Sequence, residues 1–417
     1  MLVETGKFAG PCACGREHQM TTRLAVIEPG CLERLDEIME RYGVSGKRCA
    51  LYDENTYAAA GAKRPRAGQE IVLDPAGLHA DEVSTARVLA ELEEDVEVIV
   101  AVGAGTVHDV ARYCAHERGC RFVSCPTAAS VDGFCSNVAA MTWHGYKKTL
   151  PAVAPEIVAA DTGIIKNAPI RLARSGVGDI LAKYTALADW RVAELLIGEH
   201  FCPKIYDIMD EAVETVTSQT DGILAGDEGA FAALTYALVM SGIAMQMMGN
   251  SRPASGAEHH ISHMIEMEAA ALNAVSSALH GEKAGVGAVL AAGEYRRLAG
   301  IEDIGDRLRP YRPAAEQEIE AIYGQKLAQA IIRENREDCL AGVTPELLAE
   351  KWPEVRAVAA KLPEEGEISA ILSRLGAKRS LEDIGVPDGR KELLLDWSPL
   401  VRNRLTLMRV RRMIQPR

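Results

Sequence analysis

The chain has 417 residues, with 46 Lys and Arg against 59 Asp and Glu, a formal charge of −13, 48% hydrophobic residues and only 5% aromatics. That length exceeds what one hydrophobic core ordinarily organises, so two domains are expected, and the composition excludes wholesale disorder. The acidic balance excludes a nucleic-acid protein, whose contact face must be basic, yet leaves room for a small anion held by a few local groups.

In chain order, the N-terminus carries acidic Glu4 and lacks a long apolar run, so no signal peptide is expected. Cys12-Ala13-Cys14-Gly15-Arg16-Glu17-His18 has the spacing of part of a metal knuckle, with no second cysteine pair nearby. The ten cysteines are dispersed, which reads as a reduced cytoplasmic protein rather than a disulfide scaffold. Short apolar runs at 49–53 and 70–74 precede the strongest strand signal, VEVIVAV at 96–102, which is rich in β-branched residues and bounded by Gly103. A helix over 106–116, a strand over 121–125 and another over 157–160 follow. This alternation predicts a parallel sheet with helices on both faces.

From about 168 the pattern is helical: 171–197, 205–218, 229–249, 255–278, 283–298, 316–337, 345–362 and a basic segment near 402–413. Residues 230–248 carry no charge. Their length would permit a membrane span, but their Ala, Gly, Ser, Thr, Tyr and Gln content without an aromatic belt predicts a buried helix. The basic tail (Arg402, Arg404, Arg409, Arg411, Arg412) reads as a solvated helix face. The expected architecture is a Rossmann-like α/β domain over 1–170 followed by an all-helical domain over 171–417.

Two constellations carry chemistry. Gly103-Ala104-Gly105-Thr106-Val107 follows the strongest strand and opens a helix. There the glycines let backbone approach a ligand and the free helix N–H groups favour a phosphate. His108 breaks the full G-x-G-x-x-G pattern, so a plain strand-to-helix turn is the competing reading. Thr127-Ala128-Ala129-Ser130 and Asp132 lie at the next strand end, where open parallel sheets bind ligands. The second constellation is four of the ten histidines, His259, His260, His263 and His280, within 259–280. Ser255-Gly256-Ala257-Glu258 reads as a capping box that starts a helix, so His259 and His263 share a face and His260 is turned about 100° away. Two imidazoles on one face with a distant third group is a common catalytic metal arrangement; a run of ordinary buried or surface histidines is the bland alternative. Asp179, read as heading an apolar helix, is a candidate anionic ligand or simply an acid placed well in a helix dipole.

The segments VGAGTVHDVARY from 102, SCPTAASVDGFCS from 124, SGVGDILAKYTALADW from 175, SGAEHHISH from 255 and LHGEKAGVG from 279 occur in the order of the sn-glycerol-1-phosphate dehydrogenase family, bacterial branch. The chain resembles that family, which lies within the dehydroquinate synthase and iron-containing/polyol dehydrogenase superfamily. The resemblance implies one divalent ion, zinc or in some members nickel, on Asp179, His259 and His280, in a cleft between the domains. It implies NAD or NADP held by Gly103 to Val107, Thr127 to Ser130 and Ser136, with Asp53 at the adenosine ribose. Asp132 corresponds to a substrate contact and His263 to the substrate-side histidine. The implied reaction is reversible reduction of dihydroxyacetone phosphate to sn-glycerol 1-phosphate in the cytoplasm, by a homo-oligomer, as a dimer. Lys147, Lys148, Lys183 and Arg252 are the cations nearest the motifs for the phosphate. Three alternatives stand beside this: a glycerol or polyol dehydrogenase with the same ligands, a cyclase of dehydroquinate-synthase type, and a non-catalytic metabolite-binding protein. In place of a third glycine the loop has Ala104, which is tolerated if its φ is negative.

Overall fold

The computed structural model describes residues 1–415. The chain forms two compact units: Met1–Ile180 with Asp207–Ser251, and Leu181–Tyr206 with Arg252–Arg417. A single cut at 170 therefore does not follow the packing. The segment Asp207–Ser251 joins the first unit because its long helix Glu228–Met248 is seated there. Gly242 lets the Cys135 backbone approach where a Cβ would stand 2.8 Å from the Cys135 carbonyl carbon. Gln246 accepts from the Thr21 and Thr22 amides at 3.1 and 3.2 Å.

The first unit is built on a seven-stranded sheet in the order Leu2–Glu4, Leu24–Ile27, Ile157–Ala160, Arg121–Pro126, Val98–Gly103, Arg48–Asp53, Gln69–Leu73. All neighbours run parallel except the first, which is antiparallel to Leu24–Ile27. The five predicted strands are present. In Val98–Gly103, Val98, Val100 and Val102 enter one core cluster while Ile99 and Ala101 enter another, so period-2 alternation buries both sheet faces. Chain order moves outward in opposite directions from Arg48–Asp53 and Val98–Gly103. The switch point of the sheet thus lies between them, with Asp53 and Gly103 at its carboxyl edge. The strands Leu2–Glu4 and Leu24–Ile27 and the hairpin Val138–Trp143 with Tyr146–Pro151 lay outside the sequence reading. The helix Glu228–Met248, uncharged over 230–248, is the one candidate span among the described residues, and 78% of its most apolar window is buried, as expected of a core helix.

The second unit carries no β-strand of two or more residues among its described residues. Several predicted helices are shorter than their apolar pattern. The segment 255–278 is α-helical only over Ala257–Glu266, with a 3-10 turn at Ala270–Leu272, because Glu268 and Asn273 take left-handed backbone, at φ 52 and 48. Gly324, at φ 78, splits 316–337 into Glu316–Tyr323 and Gln325–Glu334. The basic tail is not a solvated face. It is a one-turn helix, Leu407–Val410, and a 3-10 turn, Arg411–Met413. Arg409 is fully buried, donating to the Pro399 carbonyl at 2.9 Å and pairing with Asp338 at 2.8 Å, and Arg411 pairs with Glu294 at 2.6 Å. These cations fasten the tail inside its own unit.

Candidate active site

In the first unit, the strand Val98–Gly103 passes through Ala104 into the helix Gly105–Arg118. Ala104 caps the helix from extended backbone, φ −92, with no side-chain hydrogen bond, so the first turn's N–H groups meet no capping oxygen from it. Both flanking glycines are required by packing: a Cβ at Gly103 would stand 2.6 Å from the Val107 side chain, and one at Gly105 2.8 Å from that of Val131. Thr127 donates its amide to the Gly103 carbonyl at 3.0 Å, which ties the two strand ends together. Thr127, Ala128, Ala129 and Ser130 are buried. Asp53 caps the helix Glu54–Ala60, its Oδ1 accepting from the Thr56 amide at 2.8 Å, at the switch-point edge. Ser136 is also buried, and its Oγ accepts from the Val138 amide at 3.1 Å.

Asp179 does not head its helix. It lies in the last turn of Ile170–Leu181, where the helix dipole disfavours an anion, and it is fully buried. Its Oδ2 accepts from the Asp132 amide at 3.0 Å, while Oδ2 of Asp132 accepts from the Ser241 hydroxyl at 2.8 Å. A buried carboxylate against the dipole gains nothing from its helix; the cost is one that a cation ligand would offset.

The second unit gathers the histidines. His259 and His263 lie on the helix Ala257–Glu266, and His280 is the first residue of the helix His280–Ala299. The two helices meet at Gly287, where a Cβ would stand 2.5 Å from the Glu258 carbonyl oxygen. Ring centroids are 5.2 Å apart for His259 and His280, 6.0 Å for His259 and His263, and 5.8 Å for His263 and His280. Each proposed ligand has its Nδ1 against a carboxylate: His259 to Glu258 Oε1 at 2.8 Å and His280 to Glu266 Oε1 at 2.8 Å. An Nδ1–H donated to a carboxylate leaves the Nε2 lone pair available, the tautomer a metal requires. His263 Nδ1 is buried without a hydrogen-bond partner, as are both ring nitrogens of His260. Burial pushes both imidazoles well below their ordinary pKa, so both are neutral.

Glu258 anchors this arrangement and was read in the sequence only as a capping residue. The reciprocal box is absent, since Gly256 caps without a side chain; instead Glu258 Oε1 accepts the Gly256 amide at 2.6 Å and Oε2 the Thr185 hydroxyl at 2.5 Å. Burial raises its carboxyl, but the bonds from His259, Thr185 and Gly256 outweigh it and hold the group ionised. Asp189, raised by burial to about 7, accepts from the Ala257 amide at 2.8 Å and positions the same helix start. Glu266 was missed as well; its only signal is its place one turn beyond His263. Two phosphate candidates are already engaged. Lys183 donates to the Ala254 carbonyl at 2.9 Å, and Arg252 to the carbonyls of Asp189 and Leu405 at 2.9 and 2.8 Å. Lys147 and Lys148 lie on the hairpin strand Tyr146–Pro151.

The pattern of the iron-containing alcohol dehydrogenases matches residues 26–169. In fold the chain is similar to glycerol dehydrogenase from Schizosaccharomyces pombe, with a TM-score of 0.54 at 19% identity over 81% of this chain and 90% of that one. Residues 26–169 are thus similar to the iron-containing alcohol dehydrogenases, and the fold is that of a solved glycerol dehydrogenase. The chain is also 35% identical to the glycerol-1-phosphate dehydrogenase (NAD(P)+) of Geobacillus stearothermophilus over 98% of this chain and 96% of the relative. It is 35% identical to that of Bacillus licheniformis over 78% and 82%. The chain belongs to the glycerol-1-phosphate dehydrogenase family, as its motifs led us to expect.

Proposed function

We propose that the protein is a metal-dependent oxidoreductase of glycerophospholipid metabolism that interconverts dihydroxyacetone phosphate and sn-glycerol 1-phosphate with NAD(P)H. The observation that carries this reading, beyond family membership, is the pair His259 and His280, each with its Nδ1 against a carboxylate. Asp179 completes the ligand set we propose, and zinc suits one carboxylate with two imidazoles, nickel being the other candidate. The dinucleotide is assigned to Gly103, Ala104, Gly105, Thr106 and Val107, with Thr127, Ala128, Ala129, Ser130 and Ser136, and its ribose to Asp53.

When bound, the dinucleotide supplies the hydride and the ion polarises the ketone. The chain's own residues do the rest. Glu258 and Glu266 keep the Nδ1 protons in place and so direct both Nε2 lone pairs. Asp132, steadied by Ser241, is the substrate contact. His263 is neutral, so it would orient the water that delivers a proton to the substrate oxygen, the hydroxide left behind regaining its proton from solvent. We assign the protein to the cytoplasm as a homodimer without nucleic-acid partners.

The test is a metal-reconstituted assay with NADH and NADPH against dihydroxyacetone phosphate, glycerone and glyceraldehyde 3-phosphate. Turnover of the phosphorylated ketone is expected. Turnover of glycerone alone would make the protein a polyol dehydrogenase. A His259→Ala protein that keeps both ion and activity would refute the ligand assignment.

A further inference from the structure

We propose that the turn Cys12–His18 is a second, structural metal site, holding a zinc-type ion through Cys12 Sγ, Cys14 Sγ and His18 Nε2. The ligand atoms of these three residues all lie within 4.8 Å of one another. Cys14 Sγ stands 3.6 Å from His18 Nε2. A tetrahedral zinc with Zn–S of about 2.3 Å and Zn–N of about 2.05 Å requires an S···N edge of about 3.6 Å, so this pair already has the spacing of two ligands.

The tautomer agrees. His18 Nδ1 is 2.7 Å from the Met247 carbonyl, an acceptor only, so Nδ1 carries the proton and Nε2 the lone pair. Met247 lies in the last turn of the helix Glu228–Met248, whose terminal carbonyls lack partners within the helix. The turn itself is formed in advance. The Cys12 amide donates to the Arg16 carbonyl at 2.9 Å and the Gly15 amide to the Cys12 carbonyl at 3.0 Å, with Gly15 at φ +85 where only glycine sits without strain. Pairing of Gly10 with His18 and Pro11 with Glu17 closes the hairpin behind it.

Two thiolates and a neutral imidazole balance the charge of a divalent ion and leave one tetrahedral position for a ligand from outside the turn. The strands Gly10–Pro11 and Glu17–His18 are two residues each, too short to hold a hairpin alone, and a metal staple supplies what their ladder cannot. The site is chemically distinct from the proposed Asp–His–His centre because it contains sulfur.

That difference makes it testable on the full-length protein whatever the catalytic assay shows. We expect about two metal equivalents per chain. The zinc-loaded protein should show a sulfur shell at about 2.3 Å by X-ray absorption. The cobalt-loaded protein should show thiolate-to-cobalt charge transfer in the near ultraviolet. Changing Cys12→Ser with Cys14→Ser should remove the band and about one equivalent, whereas His259→Ala should leave the band intact. Absence of both sulfur scattering and the band in the unmodified, metal-loaded protein would overturn the assignment, as would a Cys12–Cys14 disulfide in protein purified with metal present. The spectroscopy needs no variant, so a misfolded double mutant would not blunt it.

Discussion

Replacing Glu258 separates the stability of the site from its affinity for an ion. In Glu258→Gln the new carbonyl can stay at the Oε1 position, keeping the Gly256 amide and the His259 Nδ1–H as donors. The new amide then donates to Thr185 Oγ1, whose hydroxyl turns to the Ala182 carbonyl 3.1 Å away. Geometry survives while the negative charge behind His259 is lost, and such outer partners set metal affinity by about 10–100-fold, or about 1.4–2.7 kcal/mol. Glu258→Ala instead orphans two buried donors, the Gly256 amide and the His259 Nδ1–H, at about 1–3 kcal/mol each. That is about 2–6 kcal/mol against a total stability of about 5–15 kcal/mol. The assay pairs denaturant unfolding of the metal-free proteins with competition for zinc against a chelator. We expect the Gln variant to unfold near the parent midpoint and bind zinc about 10–100-fold more weakly, and the Ala variant to be severely destabilised. A Gln variant that binds zinc as tightly as the parent would refute the role given to Glu258.

Three further outcomes follow from the first unit. In Gly176→Ala the new Cβ would stand 2.1 Å from the Ala129 carbonyl oxygen, so the helix-propensity gain of about 1 kcal/mol is overwhelmed and stability falls by about 2–3 kcal/mol, read by urea unfolding. NADH affinity should fall with it, because Ala129 must shift. His108 is fully buried and desolvation depresses it from 6.5 to about 3, so between those values the unfolded chain takes up a proton that the folded one refuses. Its share of stability is therefore complete above pH 6.5 and lost as pH falls, about 2 kcal/mol by pH 5, and His108→Phe should flatten that slope in unfolding measured across pH 5–7. Gln246→Leu removes the acceptor of the Thr21 and Thr22 amides and should lower stability by about 2–4 kcal/mol; an unchanged thermal midpoint would contradict the seating of the Glu228–Met248 helix.

What the sequence determined by itself was local and periodic. Alternating β-branched residues marked the strand ending at Gly103, the Gly-Ala-Gly turn marked its exit into a helix, and i, i+4 spacing put His259 and His263 on one face. The negative φ required of Ala104 was a stereochemical inference of the same kind, and the backbone obeys it at −92. Tertiary structure decided matters set by residues far apart in the chain. Glu266 reaches His280 across the loop between two helices, and Asp132 and Asp179 are joined through a backbone amide. Arg409 is a core fastener rather than a surface charge because Asp338 and the Pro399 carbonyl wait for it inside. The Cys12–His18 turn shows the division most plainly. Its spacing only suggested a ligand set, whereas the Met247 carbonyl, 229 positions along the chain, fixes the tautomer of His18. Propensity and periodicity act over a few residues, but the partner that orients a buried polar side chain is chosen by packing.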